Sequence, residues 1–155
     1  MKKSQANKET NNAIILTRVS TREQEEGYSI DAQLQRLRNY CTRKGLKCIK
    51  EFSIVESSTR GDRIQFQEMI QFVRRQKSSV AIVCDKVDRL QRSFRELPML
   101  DELRRAGKIS LHFNVEGQVL DKNSNSSQIM AYQMFIMMAE SYTNSISDNV
   151  RRSFE

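Results

Sequence analysis

An α/β fold, with a mostly parallel central sheet flanked by helices and a long C-terminal oligomerisation helix, follows from three features of this sequence. Short apolar runs alternate with segments whose apolar residues recur every three or four positions, the pattern of strands joined by crossover helices. The run Val80-Ala81-Ile82-Val83-Cys84 is apolar throughout, as expected of a strand covered on both faces. Between 126 and 154 neither glycine nor proline interrupts the chain. A helix over that stretch spans about 44 Å, more than the width of a domain this size.

The elements follow in order. Residues 1–12 are polar, lack apolar periodicity and read as a flexible tail. A first strand covers 13–18, and the charged stretch 21–28 reads as a loop. Ser29 suits a helix N-cap, with Asp31 in the first turn. Ile30, Leu34, Leu37 and Cys41 then recur at helical spacing until Gly45, which suits the C-terminal cap. A second strand covers 48–55, and 56–62, rich in Ser, Thr and Gly, reads as a loop. Phe66, Met69, Ile70 and Val73 form a second helical stripe, followed by the strand 80–84. A third helix covers 95–106, with Pro98 in its first turn, where a missing N–H costs little. Gly107 ends it, and 109–115 supplies a fourth strand. In the last segment, 129–139 is apolar at every position except Gln133, whereas 141–155 is polar. One long helix fits, its first half packed on the body and on another subunit through Met130, Met134, Phe135 and Met138. Two helices, or a helix wholly within the core of one subunit, are the alternatives.

Composition narrows the partners. A formal charge of +7 and a pI near 9.5 favour a polyanion such as nucleic acid. No run of 18 apolar residues exists and the amino terminus is polar, so neither a membrane span nor a secretory signal is expected. Cys41, Cys48 and Cys84 show no Cys-x-x-Cys spacing and fit a reducing compartment, the cytoplasm by default. His112 is the one histidine and sits in an apolar strand, so chemistry that needs two imidazoles is excluded. No glycine-rich nucleotide loop is present. Asp85, Asp88 and Glu56 have oxygens for Mg²⁺, but the neighbouring arginines and Lys86 argue against a divalent site; no metal or cofactor is expected.

The chemistry points to Arg18-Val19-Ser20-Thr21. Residues i and i+2 of a strand share a face, so Arg18 and Ser20 point the same way. A hydroxyl beside a guanidinium is suited to a phosphate. In a parallel sheet ligands gather beyond the carboxyl ends of the strands. Ser20 follows the first strand, Ser57 the second, and Asp88 with Arg89 the third. With no histidine to act as base, Ser20 as nucleophile depends on charge stabilisation, for which Arg18, Arg63, Arg89 and Arg92 are available. Arg89 and Arg92 share a face if a helical turn begins there, and Asp88 can orient an arginine or pass a proton. The basic residues Arg36, Arg38, Arg43 and Lys44 read as a solvated helix face, and 22–26 as a solvated loop.

This set resembles the catalytic domain of the serine site-specific recombinases, the resolvase/invertase superfamily, across residues 13–152. Arg18-Val19-Ser20-Thr21, Gln24, Gln33, Ser57, Arg63, Asp88-Arg89-x-x-Arg92 and Glu140 fall in the family's order and local spacing. The stretch 25–33 is more similar to large serine recombinases than to small resolvases. Leu16, where many members have Tyr, and Ser58 and Ile64, commonly Gly and Pro, depart from the pattern. The resemblance implies that Ser20 attacks a DNA phosphodiester and becomes joined to the 5′ phosphate, the 3′ hydroxyl later reversing the step without metal or cofactor. Arg18, Arg89 and Arg92 then bind the scissile phosphate. Arg63 and Ser57 extend that network, Gln24 and Gln33 support it, and Asp88 moves the proton. It also implies a catalytic domain over 13–125 and an oligomerisation helix over 126–155 leading to a DNA-binding domain outside this chain. The partners are then double-stranded DNA and further copies of the chain, as homodimer or homotetramer. Two rivals are a catalytically silent DNA-associated dimerisation module and a phosphohydrolase acting on a small phosphoester.

Overall fold

A computed structural model describes residues 11–56, 59–91 and 95–153, those at 56, 59–63 and 142–153 by backbone alone. The tail expected over 1–12 therefore lies almost wholly outside the described residues. Five strands form one sheet, β1 (Asn12–Ser20), β2 (Lys47–Glu56), β3 (Val80–Cys84), β4 (Ile109–Phe113) and β5 (Gln118–Leu120), in the order β2-β1-β3-β4-β5. The first four are parallel, and β5 returns antiparallel on β4. The helices are α1 (Thr21–Glu25), α2 (Ile30–Lys44), α3 (Thr59–Arg75), α4 (Val87–Leu90), α5 (Leu97–Arg105) and α6 (Ser126–Ser153).

The sheet's two faces are separated by strand alternation. Ile14, Leu16, Val80, Ile82 and Cys84 face a core filled by Met69 and Ile70 of α3, Leu100 of α5, and Tyr132 and Ile136 of α6. Ala13, Ile15, Ala81 and Val83 face the opposite way, onto Leu37, Tyr40 and Cys41 of α2. A one-residue slip of β1 would exchange these sets, so burial on both sides fixes its register. The caps of α2 are as expected. Ser29 Oγ accepts from Ala32 N–H at 3.0 Å, and Gly45 ends the helix at φ +67°, a conformation costly for other residues.

Two loop expectations are corrected. The charged stretch 21–28 opens with α1, because a Ser-x-x-Glu capping box starts a helix there. The stretch 56–62 contains the end of β2 and the start of α3. The sequence also hid α4 and β5, each too short to show a period.

The long helix is one element of 28 residues, about 42 Å. Its root is fixed by Tyr132, which is 1% exposed, stacks on Phe113 at 5.7 Å and donates its hydroxyl to Gln91 Oε1. Tyr132→Ala is expected to cost about 3–5 kcal/mol through the cavity, and Tyr132→Phe about 1 kcal/mol through the lost hydrogen bond. Urea midpoints of the two variants measure both. A Tyr132→Ala midpoint equal to that of the parent would mean that α6 does not pack on the body.

His112 lies where the sequence put it, in a strand against the core. Its Nδ1 is 2.8 Å from the Tyr40 hydroxyl and its Nε2 3.2 Å from Ser110 Oγ. Burial, then the Lys44 charge, push its pKa down from 6.5 to about 4. The folded state therefore holds fewer protons than the unfolded one between these values, and stability falls as pH is lowered through that window. Thermal midpoints at pH 7, 5.5 and 4.5 should fall less steeply for His112→Gln. Equal slopes would assign the acid sensitivity to carboxylates instead.

Candidate active site

Strand order places the site. The chain runs from β1 to β2 on one side and then returns to β3 on the other, so the sheet's direction of winding reverses at β1. Crevices at such reversals open beyond the carboxyl ends of the strands. Ser20 stands at that end of β1, and 85–91 at that end of β3.

Ser20 is both the last residue of β1 and the N-cap of α1. Its Oγ accepts from Glu23 N–H at 3.0 Å, and its own N–H donates to Glu23 Oε1 at 3.1 Å. Arg18 precedes it on the same strand face. The Arg18 backbone is clamped by Gln33 of α2, whose Oε1 accepts from Arg18 N–H at 3.4 Å and whose Nε2 donates to Arg18 O at 3.3 Å. Gln33 is 3% exposed, so its amide acts on the position of the strand end.

Arg89 comes from α4, across the crevice. Its Nη1 donates to Glu23 Oε1 at 2.8 Å and its Nη2 to Glu23 Oε2, a two-point carboxylate–guanidinium pair. Asp88 Oδ1 stands 3.9 Å from Arg89 Nε. The Glu23 hydrogen bond raises the Arg89 pKa further above its ordinary value, against the effect of burial, so Arg89 is a permanent cation. The start of α4 is held from the β4–β5 connection, where Glu116 Oε1 accepts from Val87 N–H at 3.1 Å. At its other end Gln91 accepts the Tyr132 hydroxyl of α6. A serine, a guanidinium and two carboxylates thus meet at one sheet edge, a set able to bind a phosphate and present a hydroxyl to it.

A family model described as the resolvase N-terminal domain matches residues 13–155. The chain belongs to that family. Solved structures show the same fold in this resolvase domain at low sequence identity. The N-terminal catalytic domain of TP901-1 integrase is 22% identical at a TM-score of 0.59, the match covering 90% of this chain and 98% of that one. A resolvase-family site-specific recombinase from Streptococcus pneumoniae is 20% identical at a TM-score of 0.63, over 93% and 99% of the two chains. The C-terminal catalytic domain of ISC1926 TnpA, an IS607-like serine recombinase, is 18% identical at 0.56, over 93% and 99%. No curated protein matches this chain.

The resolvase domain brings Arg18, Ser20, Asp88 and Arg89 to one edge. Gln24 lies exposed on α1. Ser57 and Arg92 lie outside the described residues, and Arg63 is described only as backbone in α3. On α6, Met130, Met134 and Met138 are 62%, 54% and 63% exposed, whereas Phe135 is partly buried and packs against the domain's own core. Phe135 thus anchors α6 from within.

The basic residues of α2 stay exposed as expected, although two of them pair: Arg36 Nη2 donates to the buried Asp85 Oδ2 at 2.8 Å, and Arg38 pairs with Glu51 at 2.8 and 3.0 Å. One solvated reading is corrected. Glu23, read as part of a solvated loop, is the residue that joins Ser20 to Arg89. Its signal was present as the Ser20-x-x-Glu23 capping box. Gln91 and Tyr132 carried no such signal.

Among the described residues no cluster of three or more His, Cys, Asp or Glu side chains is placed to hold a metal. No helix among them is long and apolar enough to cross a membrane.

Proposed function

We propose that this domain carries out site-specific DNA recombination by strand cleavage and rejoining through a 5′-phosphoserine intermediate. The observation that supports it is the meeting of Ser20 and Arg89 at the reversal of the sheet. Ser20 Oγ attacks the scissile phosphorus, the P–O3′ bond breaks, and the serine proton ends on the departing 3′ oxygen. Attack by that 3′ hydroxyl on the phosphoserine restores both ester and serine, so no cofactor or metal is consumed. Arg18, Arg89 and Arg92 neutralise the charge that grows on the phosphoryl oxygens. Arg63, Ser57 and Gln24 extend the contacts to DNA, and Gln33 keeps Arg18 in place. Asp88, beside Arg89, passes the proton.

The exposed methionines Met130, Met134 and Met138 of α6 meet a second copy of the chain, giving a homodimer or homotetramer that works on DNA in the cytoplasm. Sedimentation that stays monomeric at every concentration would remove this interface.

Duplex DNA carrying a sulfur in place of the scissile 3′ oxygen tests the chemistry, since a thiolate released on cleavage returns poorly to phosphorus and the adduct accumulates. A protein–DNA adduct stable in detergent, with the phosphate mapped to Ser20 by mass spectrometry, is the expected result. Absence of any adduct favours the silent DNA-associated module. Turnover of a small phosphoester without an adduct favours the phosphohydrolase.

A further inference from the structure

One side chain ties the nucleophile to the phosphate-binding cation. Both Glu23 carboxylate oxygens lie on the two terminal nitrogens of Arg89, and Oε1 also accepts from Ser20 N–H. The Glu23 backbone N–H meanwhile donates to Ser20 Oγ. A carboxylate gripped at two points presents the same pair of anionic oxygens as the non-bridging oxygens of a phosphodiester. We propose that Glu23 is a resident anion in the phosphate site, holding Arg89 and Ser20 in a resting state until a DNA phosphate displaces it.

The proposal rests on the recombinase reading given above. Two properties of the site carry it. The edge of Arg89 that would grip a phosphate is filled by Glu23, while Asp88 Oδ1 stands 3.9 Å from the Nε edge. A phosphodiester that reaches Arg89 meets the charge of both carboxylates and finds the terminal nitrogens already taken, so it gains little there unless Glu23 leaves. Glu23 is also mounted on an element able to leave. The helix α1 has five residues and buries none of them, and Gly27 beyond it adopts φ +95°, where glycine is at ease. Withdrawal of Glu23 would open the guanidinium fork and release the Ser20 hydroxyl from its cap in one motion.

Glu23→Gln separates charge from structure. Glutamine at this position still completes a capping box, so α1 and the Ser20 turn are retained while the competing charge is lost. Two readouts are needed. Duplex binding is followed by fluorescence anisotropy in a Ser20→Asn background, where no chemistry intervenes and the N-cap of α1 is kept, and adduct formation is followed with the sulfur-substituted duplex. Glu23→Gln is expected to tighten duplex binding by about tenfold and to speed adduct formation most at sub-saturating DNA. Glu23→Asp, which keeps the charge, should stay near the parent in both. A slower adduct with unchanged binding would overturn the proposal and make Glu23 a positioning residue for Arg89. Unchanged values in both readouts would also overturn it. Tighter binding with no adduct from any variant would leave the resident anion standing and reject the recombinase reading. Adduct formation by the parent with no gain for Glu23→Gln would do the reverse.

Discussion

Ser20→Ala is expected to abolish the DNA adduct completely while lowering stability by only about 1 kcal/mol. The two effects have different origins. Loss of the adduct follows from loss of the attacking oxygen, for which alanine has no replacement. Loss of stability follows from the N-cap of α1, since Oγ accepts from Glu23 N–H and alanine leaves that donor to water. Ser20→Asn separates them, because asparagine caps helices about as well as serine but is no nucleophile. Its urea midpoint should match the parent, and its adduct yield should be zero. An adduct formed by either variant would place the nucleophile elsewhere in the chain.

Arg89→Ala is expected to slow adduct formation by about 10²–10³-fold, the usual effect of removing one donor to a developing oxyanion. The loss should appear in the rate at saturating DNA, since the charge stabilised is the charge of the transition state. Arg89→Lys should recover part of it, because lysine restores a charge but not the planar fork that grips two oxygens. The side chain is only 11% exposed and is paired with Glu23, so Arg89→Ala also costs about 1–2 kcal/mol of stability. Urea denaturation measures this separately. A variant that is destabilised yet cleaves at the parental rate would reduce Arg89 to a structural ion-pair partner.

The parts legible in the sequence are those with a period or a punctuation mark. The strand Val80–Cys84 is where its apolar run put it, α2 is capped by Ser29 and Gly45, and α6 fills the stretch without glycine or proline. The parallel order followed from alternation alone, and with it the gathering of Ser20, Asp88 and Arg89 at one edge. Elements of three or four residues left no period to read, which hid α4 and β5. The role of Glu23 was obscured for another reason. A charged stretch such as Arg22-Glu23-Gln24-Glu25-Glu26 looks uniformly solvated, and only the arrival of Arg89 from α4 distinguishes one glutamate from its neighbours. Tyr132 and Gln91 are of the same kind, since a pairing between α6 and the end of α4 has no local signature.

The position of β1 between β2 and β3 bears on how the chain is made. β1 can pair with β2 as soon as α2 has formed, but Ser20 meets Arg89 only after β2 and α3 have been synthesised and β3 has closed on the far side of β1. That closure spans a large loop and belongs to the slow, long-range part of folding. A nascent or half-folded chain therefore carries Ser20 without Arg89 across from it, and under the proposed function reactivity toward DNA would arrive only with the finished sheet.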